Sequence, residues 1–430
     1  MSSTLKNTVA RNVARPEVAG LVIERTLEPL SGVTTPIAPP TYAGAKSGES
    51  TFALSEDTFI PTFDENGWLS QLSRNADNAP RKGTMVIIDS VGSQSGRAET
   101  ALWNNQERLD LTLPGLVTTG NPDGNDSNEK TLLNRQLHEA LSVQASSWTL
   151  AHRQVDATLR YSTQGGKHVW GEKEDLPESV KGLVLSASPE NADLLFSHFP
   201  NAAIFGYWLS SGSAARHKMP RSYSSQIVGY GASPVNSGAT KLDFVINPLS
   251  TTPLTQKGDD LSVDLKGKSG KVRPSQFGLG QVPSQTKTTG FICELIAQQA
   301  SISLTNLRTL RFSTPEKKQA GLTVLTLLAM AGHYLSSEET FLRSSCALVT
   351  TGERWGWKIN NGHKAETVDL TITSFEEIVE ALHEALKDAK NVGLEFAEPI
   401  QLQFSTFLND LITYRVTEEH DKAAGEADGN

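Results

Sequence analysis

Thr84-Met85-Val86-Ile87-Ile88, followed by Asp89-Ser90-Val91-Gly92-Ser93-Gln94-Ser95-Gly96 and then by Arg97 to Trp103, is the stretch on which the fold turns. The apolar run reads as a buried strand, the glycine-bounded segment as a turn, and the rest as the start of a helix. A glycine loop between strand and helix aims backbone N–H groups and a helix N-terminus at a phosphate, with Arg97 completing the site; a plain turn is the alternative. The Lys-Ser/Thr ending of a nucleotide-binding loop is absent. Gln94 stands where a hydrolase elbow carries its serine, so that motif is excluded as well.

Upstream, residues 1–82 are rich in Pro, Gly, Ser and Thr and read as an irregular segment. Downstream, Thr118 to Lys130 reads as an exposed loop. Trp148, Ala151, Val155 and Leu159 form one stripe of a helix over Trp148 to Tyr161, whose other face carries Arg153, Asp156 and Arg160. Ala202 to Leu209 is a second strand candidate. Gly229 to Gly290, with few large apolar residues, reads as a long insertion or a set of hairpins. Further strands are expected through Phe291 to Ala297 and Phe341 to Val349, and a short helix from Ser303 to Phe312. Thr314-Pro315 starts a buried helix, and Ser374 with Glu377 caps an acidic amphipathic one that Gly393 stops. The expected division is an irregular segment 1–82, a body 83–350 with insertions at about 111–147 and 231–290, a helical part 351–417, and a disordered acidic tail 418–430. This order predicts an α+β fold rather than a regular βαβ array.

The 430 residues, 37% hydrophobic and 20% charged, can bury a core. Gly321 to Gly332, the longest strongly apolar stretch, is shorter than the roughly 20 residues of a membrane span, and no secretory signal opens the chain, which predicts a cytoplasmic protein. Two cysteines, Cys293 and Cys346, exclude a disulfide framework and a multi-cysteine zinc site. A net charge of −9 argues against a nucleic-acid binder until its distribution is read. Leu194 to Pro315 holds 12 basic and 5 acidic residues, so this stretch is +7 and the remainder −16. Glu366 to Asn430 holds 4 basic and 15 acidic residues. One basic working surface on an acidic scaffold is the pattern.

Arg216-His217-Lys218-Met219-Pro220-Arg221-Ser222-Tyr223 is the sharpest local signal, because its cations stand in a stretch, Leu194 to Leu242, with no acid. Tyr207, Trp208 and Tyr223 offer stacking faces beside them, unless they pack in the core. Arg153 and Arg160 flank Asp156 at helical spacing and either pair with it or reach a phosphate backbone. Arg308 and Arg311 flank the stripe Leu304, Leu307 and Leu310, covering the core edge or facing a ligand. Lys266, Lys268, Lys271 and Arg273 form a second basic run, with a mobile loop as the equal alternative. His152 with Asp156 starts no recognisable metal constellation, and no carboxylate pair with a nearby His stands out for acid–base work.

Together these segments resemble the backbone subunit of type I-G (formerly I-U) CRISPR effector complexes, within the repeat-associated RNA-binding superfamily. The resemblance runs through Pro39-Pro40-Thr41-Tyr42-Ala43-Gly44, Ile88-Asp89-Ser90-Val91 with Gln94 and Arg97, His152-Arg153 with Asp156-Ala157 and Leu159-Arg160, and Ile204-Phe205-Gly206-Tyr207-Trp208. It continues through Pro220-Arg221-Ser222, Ile227-Val228-Gly229-Tyr230, Leu307-Arg308 with Leu310-Arg311-Phe312, and Leu342-Arg343-Ser344 with Cys346. The resemblance implies a hand-shaped Cascade subunit whose palm is RRM-like or ferredoxin-like, with finger and thumb insertions. Such subunits polymerise head to tail along crRNA and leave its bases free for target DNA, beside other Cascade subunits and a recruited helicase-nuclease. The chain is accordingly read as a non-enzymatic RNA-binding subunit without metal or cofactor, and Arg97, Arg153, Arg160, Arg216, Lys218, Arg221, Arg308, Arg311 and Arg343 are expected to touch or border the RNA. Two rivals stand beside it: an endoribonuclease of that superfamily using His217 or His152 as general base, and a protein-only assembly module.

Overall fold

A twelve-residue strand, alternating buried and half-buried from Leu21 onward, builds the centre of the large sheet. In Val18–Pro29 (β1), Leu21, Ile23, Arg25 and Leu27 point to one face and are buried, while Val22, Glu24, Thr26 and Glu28 lie half-buried on the other. The computed structural model describes residues 4–44, 50–120, 132–171, 179–209, 217–238, 254–257, 260–263, 287–338, 341–362 and 364–428. β1 lies inside an eight-stranded sheet with Leu54–Phe59 (β2), Lys82–Asp89 (β3), Tyr223–Tyr230 (β4), Leu295–Ser303 (β5), Phe341–Arg343 (β6), Cys346–Asn361 (β7) and Lys364–Leu370 (β8). The order is β6-β7-β1-β5-β4-β3-β2, with β8 beside β7, and the paired strands are antiparallel.

Helices Thr4–Ala14 (α1), Val91–Asn104 (α2), Pro315–Glu338 (α3) and Phe375–Asn391 (α4) pack over the face that carries Leu21 and Ile23. The strands β7-β1-β5-β4, with α2 between β1 and β4 in the chain and α3 between β5 and β7, follow the ferredoxin-like order, so the fold is α+β. By length and composition α3 would suffice to cross a membrane. It is instead the core helix, with 83% of its apolar window buried in the protein.

The expected irregular N-terminal segment is corrected: it supplies α1 and β1. The signal was hidden by Arg25, an inward-facing cation only 5% exposed. Its guanidinium donates to Gln298 Oε1 at 2.7 Å, to the Ser337 carbonyl at 2.8 Å and to Thr350. The glycine loop is corrected too. Ser90 caps the Ser93 N–H at 3.3 Å, so α2 starts at Val91 and Gly92 to Gly96 lie inside its first turns. The helix expected over Trp148 to Tyr161 breaks into a 3-10 turn, Arg153–Val155, and a short helix, Ala157–Arg160. Asp156 is extended between them and accepts from Thr158 N at 3.0 Å. Ala202 to Phe205 is helical rather than a strand, because Pro200 opens the helix Pro200–Phe205. The part 351–417 contains β8 and most of β7 before its helix. Helix Thr406–Asp428 (α5) continues through most of the tail expected to be disordered.

The chain divides into two compact units. The first, residues 1–118, 144–233 and 290–403, contains the large sheet and its helices. The second, residues 119–143, 234–289 and 404–430, packs Leu132–Leu141 and the hairpin Leu254–Lys257/Asp260–Val263 against α5. Much of the Gly229 to Gly290 insertion, including Lys266, Lys268, Lys271 and Arg273, lies outside the described residues.

Candidate nucleic-acid interface

The basic segment closes a short hairpin at the edge of the first unit's core. Tyr207–Leu209 pairs with His217–Met219, setting Tyr207 opposite Met219 and Trp208 opposite Lys218. The pleat sends Tyr207, Leu209 and Met219 into the core and leaves Trp208 and Lys218 exposed on the outer side. The hairpin is fixed at its base. Gly206 has φ +77°, and a Cβ there would stand 2.7 Å from the Met219 carbonyl oxygen and 2.8 Å from the Arg221 nitrogen, an approach only glycine permits. Ser222 N donates to the Ile204 carbonyl at 2.7 Å, and Asn306 donates to the Pro220 carbonyl at 3.0 Å and to Ser222 Oγ at 2.7 Å.

Arg221 leaves this base exposed, one guanidinium nitrogen resting on Ser95 Oγ of α2 at 3.3 Å. Among the described residues neither Lys218 nor Arg221 enters an ion pair. Lys218, Arg221 and the Trp208 indole are therefore exposed around one hydrogen-bonded base. Arg216, expected in the same group, lies outside the described residues.

The other arginines are not gathered there. Arg153 makes a bidentate pair with Glu99, at 2.9 and 2.8 Å, with both side chains largely buried, and Asn201 donates to the same carboxylate at 2.8 Å. Burial pushes Glu99 up to about 7, while Arg153 and Asn201 pull it back. Arg153 also holds φ +53°, a conformation a non-glycine residue keeps only under constraint. Arg308 donates to four carbonyls, of Asn12, Val13, Arg15 and Val18, at 2.6 to 3.1 Å, and ties the end of α1 to β1. These two, expected at the RNA, are committed to the protein itself.

Arg97 and Arg343 converge on the buried Asp89, at 2.9 and 3.6 Å, and Arg343 also reaches the Ile88 carbonyl at 3.0 Å. Gln94 donates to Asp89 at 2.6 Å and accepts from Gln298, which accepts from Arg25, so a polar chain runs through the core from β3 to β1. Arg160 lies over the Trp170 ring at 5.8 Å, its Nε buried without a hydrogen bond. Arg311 has an exposed side chain on a backbone pinned to Pro189 and Ala192.

Of the aromatics weighed between stacking and core packing, Tyr207 and Tyr223 are core residues. Tyr223 bonds His333 Nδ1 at 2.9 Å, and burial pushes that imidazole down to about 3. His152 is exposed, with Nδ1 3.3 Å from Asp156 Oδ2, and the same carboxylate caps the turn. The side chain of His217 is outside the described residues. Among the described residues no three metal-ligating side chains gather.

One surface escaped the sequence reading. On the face of the sheet away from the helices, register aligns Gln226, Gln299 and Glu24, and next to them Ser224 and Ser301 beside Val22. The alternation Ser224, Gln226 against Ile227 within β4 was the available signal. The segment around Trp68 folds over part of this face, Leu69 N donating to Glu24 Oε2 at 2.8 Å and Trp68 Nε1 to Asp369 at 3.0 Å.

Residues 21–234, which include α2, the hairpin and β4, match the model of a family described as CRISPR-associated protein GSU0053. No curated protein matches the chain.

Proposed function

We propose, on the premise that residues 21–234 belong to this CRISPR-associated protein family, that the chain is a non-catalytic backbone subunit of a type I-G Cascade complex. Copies polymerise head to tail along crRNA in the cytoplasm, hold its phosphates without regard to sequence, and leave its bases open to a target DNA strand. Other Cascade subunits and a recruited helicase-nuclease are the partners, and cleavage belongs to the latter.

The observation that carries this reading is the hairpin: Lys218 and Arg221 exposed, in an acid-free stretch, on a mount locked by Gly206. Phosphate contacts of this kind position a strand and carry no base information. Arg311 adds a further exposed cation, and the +7 charge of Leu194 to Pro315 against −16 elsewhere suits a filament with one basic groove.

The test is a titration of the nuclease-treated protein with labelled crRNA at several salt concentrations. Each phosphate held on a single strand contributes roughly 0.7 to the slope of log affinity against log salt. Replacing Lys218 and Arg221 together by Ala should therefore lower the slope by about 1.4. An unchanged slope contradicts the reading. RNA cleavage lost in His152→Ala or His217→Ala marks an endoribonuclease instead.

A further inference from the structure

Trp208 is 69% exposed, and each of the other six tryptophans is buried or half-buried. Among the described residues no aromatic ring pairs with its indole and no cation lies over it, unlike Trp68 and Trp170, which Arg354, Arg160 and Lys181 cover. Leaving so large an apolar face in water forgoes burial that its strand neighbours Tyr207 and Leu209 obtain. Its cross-strand partner is Lys218, on the same side of the hairpin, and the glycine lock at Gly206 holds both in place.

From this juxtaposition we infer that Trp208 is a stacking platform for one unpaired nucleobase of the bound RNA, with Lys218 holding the phosphate beside it. The inference rests on the RNA-gripping reading and adds a contact of different physics. A π face accepts any base, so the platform is indifferent to sequence, and its contribution does not depend on counterion release. An exposed indole beside two cations suits a nucleotide better than a basic protein segment, which Lys218 and Arg221 would repel.

The test compares oligouridylate with an abasic ribose-phosphate oligomer of equal length. Trp208→Ala should bind oligouridylate roughly tenfold more weakly, with the salt slope unchanged, and bind the abasic oligomer like the unaltered protein. Trp208→Phe, which keeps a smaller ring, should recover most of the loss. Equal losses on both oligomers, or none on either, overturn the platform. So does a Trp208→Ala protein that loses self-association while keeping its RNA affinity. If the unaltered protein binds neither oligomer, the reading of the chain as an RNA-gripping subunit falls instead.

Discussion

At the scale of single residues, the sequence shows a charge and not its partner. Arg153, Arg308 and Arg221 look alike in the chain, yet Arg153 neutralises a buried Glu99, Arg308 satisfies four carbonyls, and Arg221 stands outside. Removing Arg308 strands those carbonyls at the junction of α1 and β1. Arg308→Ala should destabilise the fold by about 2–4 kcal/mol, seen as a lower denaturation midpoint, and leave the salt slope of RNA binding unchanged. A shallower slope with unaltered stability would return Arg308 to the RNA. Trp208 shows the reverse case: it is exposed, whereas Tyr207 and Tyr223, aromatics beside the same cations in the chain, are interior.

At the scale of elements, the long periodic pieces were readable and the short ones were not. α3 and α4 follow from their apolar pattern and caps, Ser374 accepting from Glu377 N at 3.3 Å and Gly393 leaving α4 with φ +74°. β1 escaped because Glu24 and Arg25 interrupt its apolar residues, and only the tertiary partners Gln298 and Thr350 explain an inward arginine. The break at Asp156 was equally hidden, since a capping side chain competes with helix continuation over a stretch whose apolar spacing is helical. The hairpin depends on Gly206 more than on its own length. Gly206→Ala forces a backbone clash and a strained φ, so it should weaken RNA binding severalfold with both cations retained, and lower the melting temperature. Normal affinity in that variant would show that the hairpin mount is dispensable.

At the scale of the whole molecule, the charge arithmetic gave the strongest early guide: a chain of net charge −9 whose middle is positive. In the ferredoxin-like order β7-β1-β5-β4, strand β4 begins at Tyr223, shortly after the hairpin in the chain, and α3, buried along most of its length, forms the centre of the helical layer. Association remains the property on which the proposed function depends most. Mass photometry of the nuclease-treated protein with guide RNAs of increasing length measures it directly. Particle mass should rise in equal steps as the RNA lengthens and return to a single small species when the RNA is digested. A mass that ignores RNA length, or an equal assembly without RNA, would contradict the account.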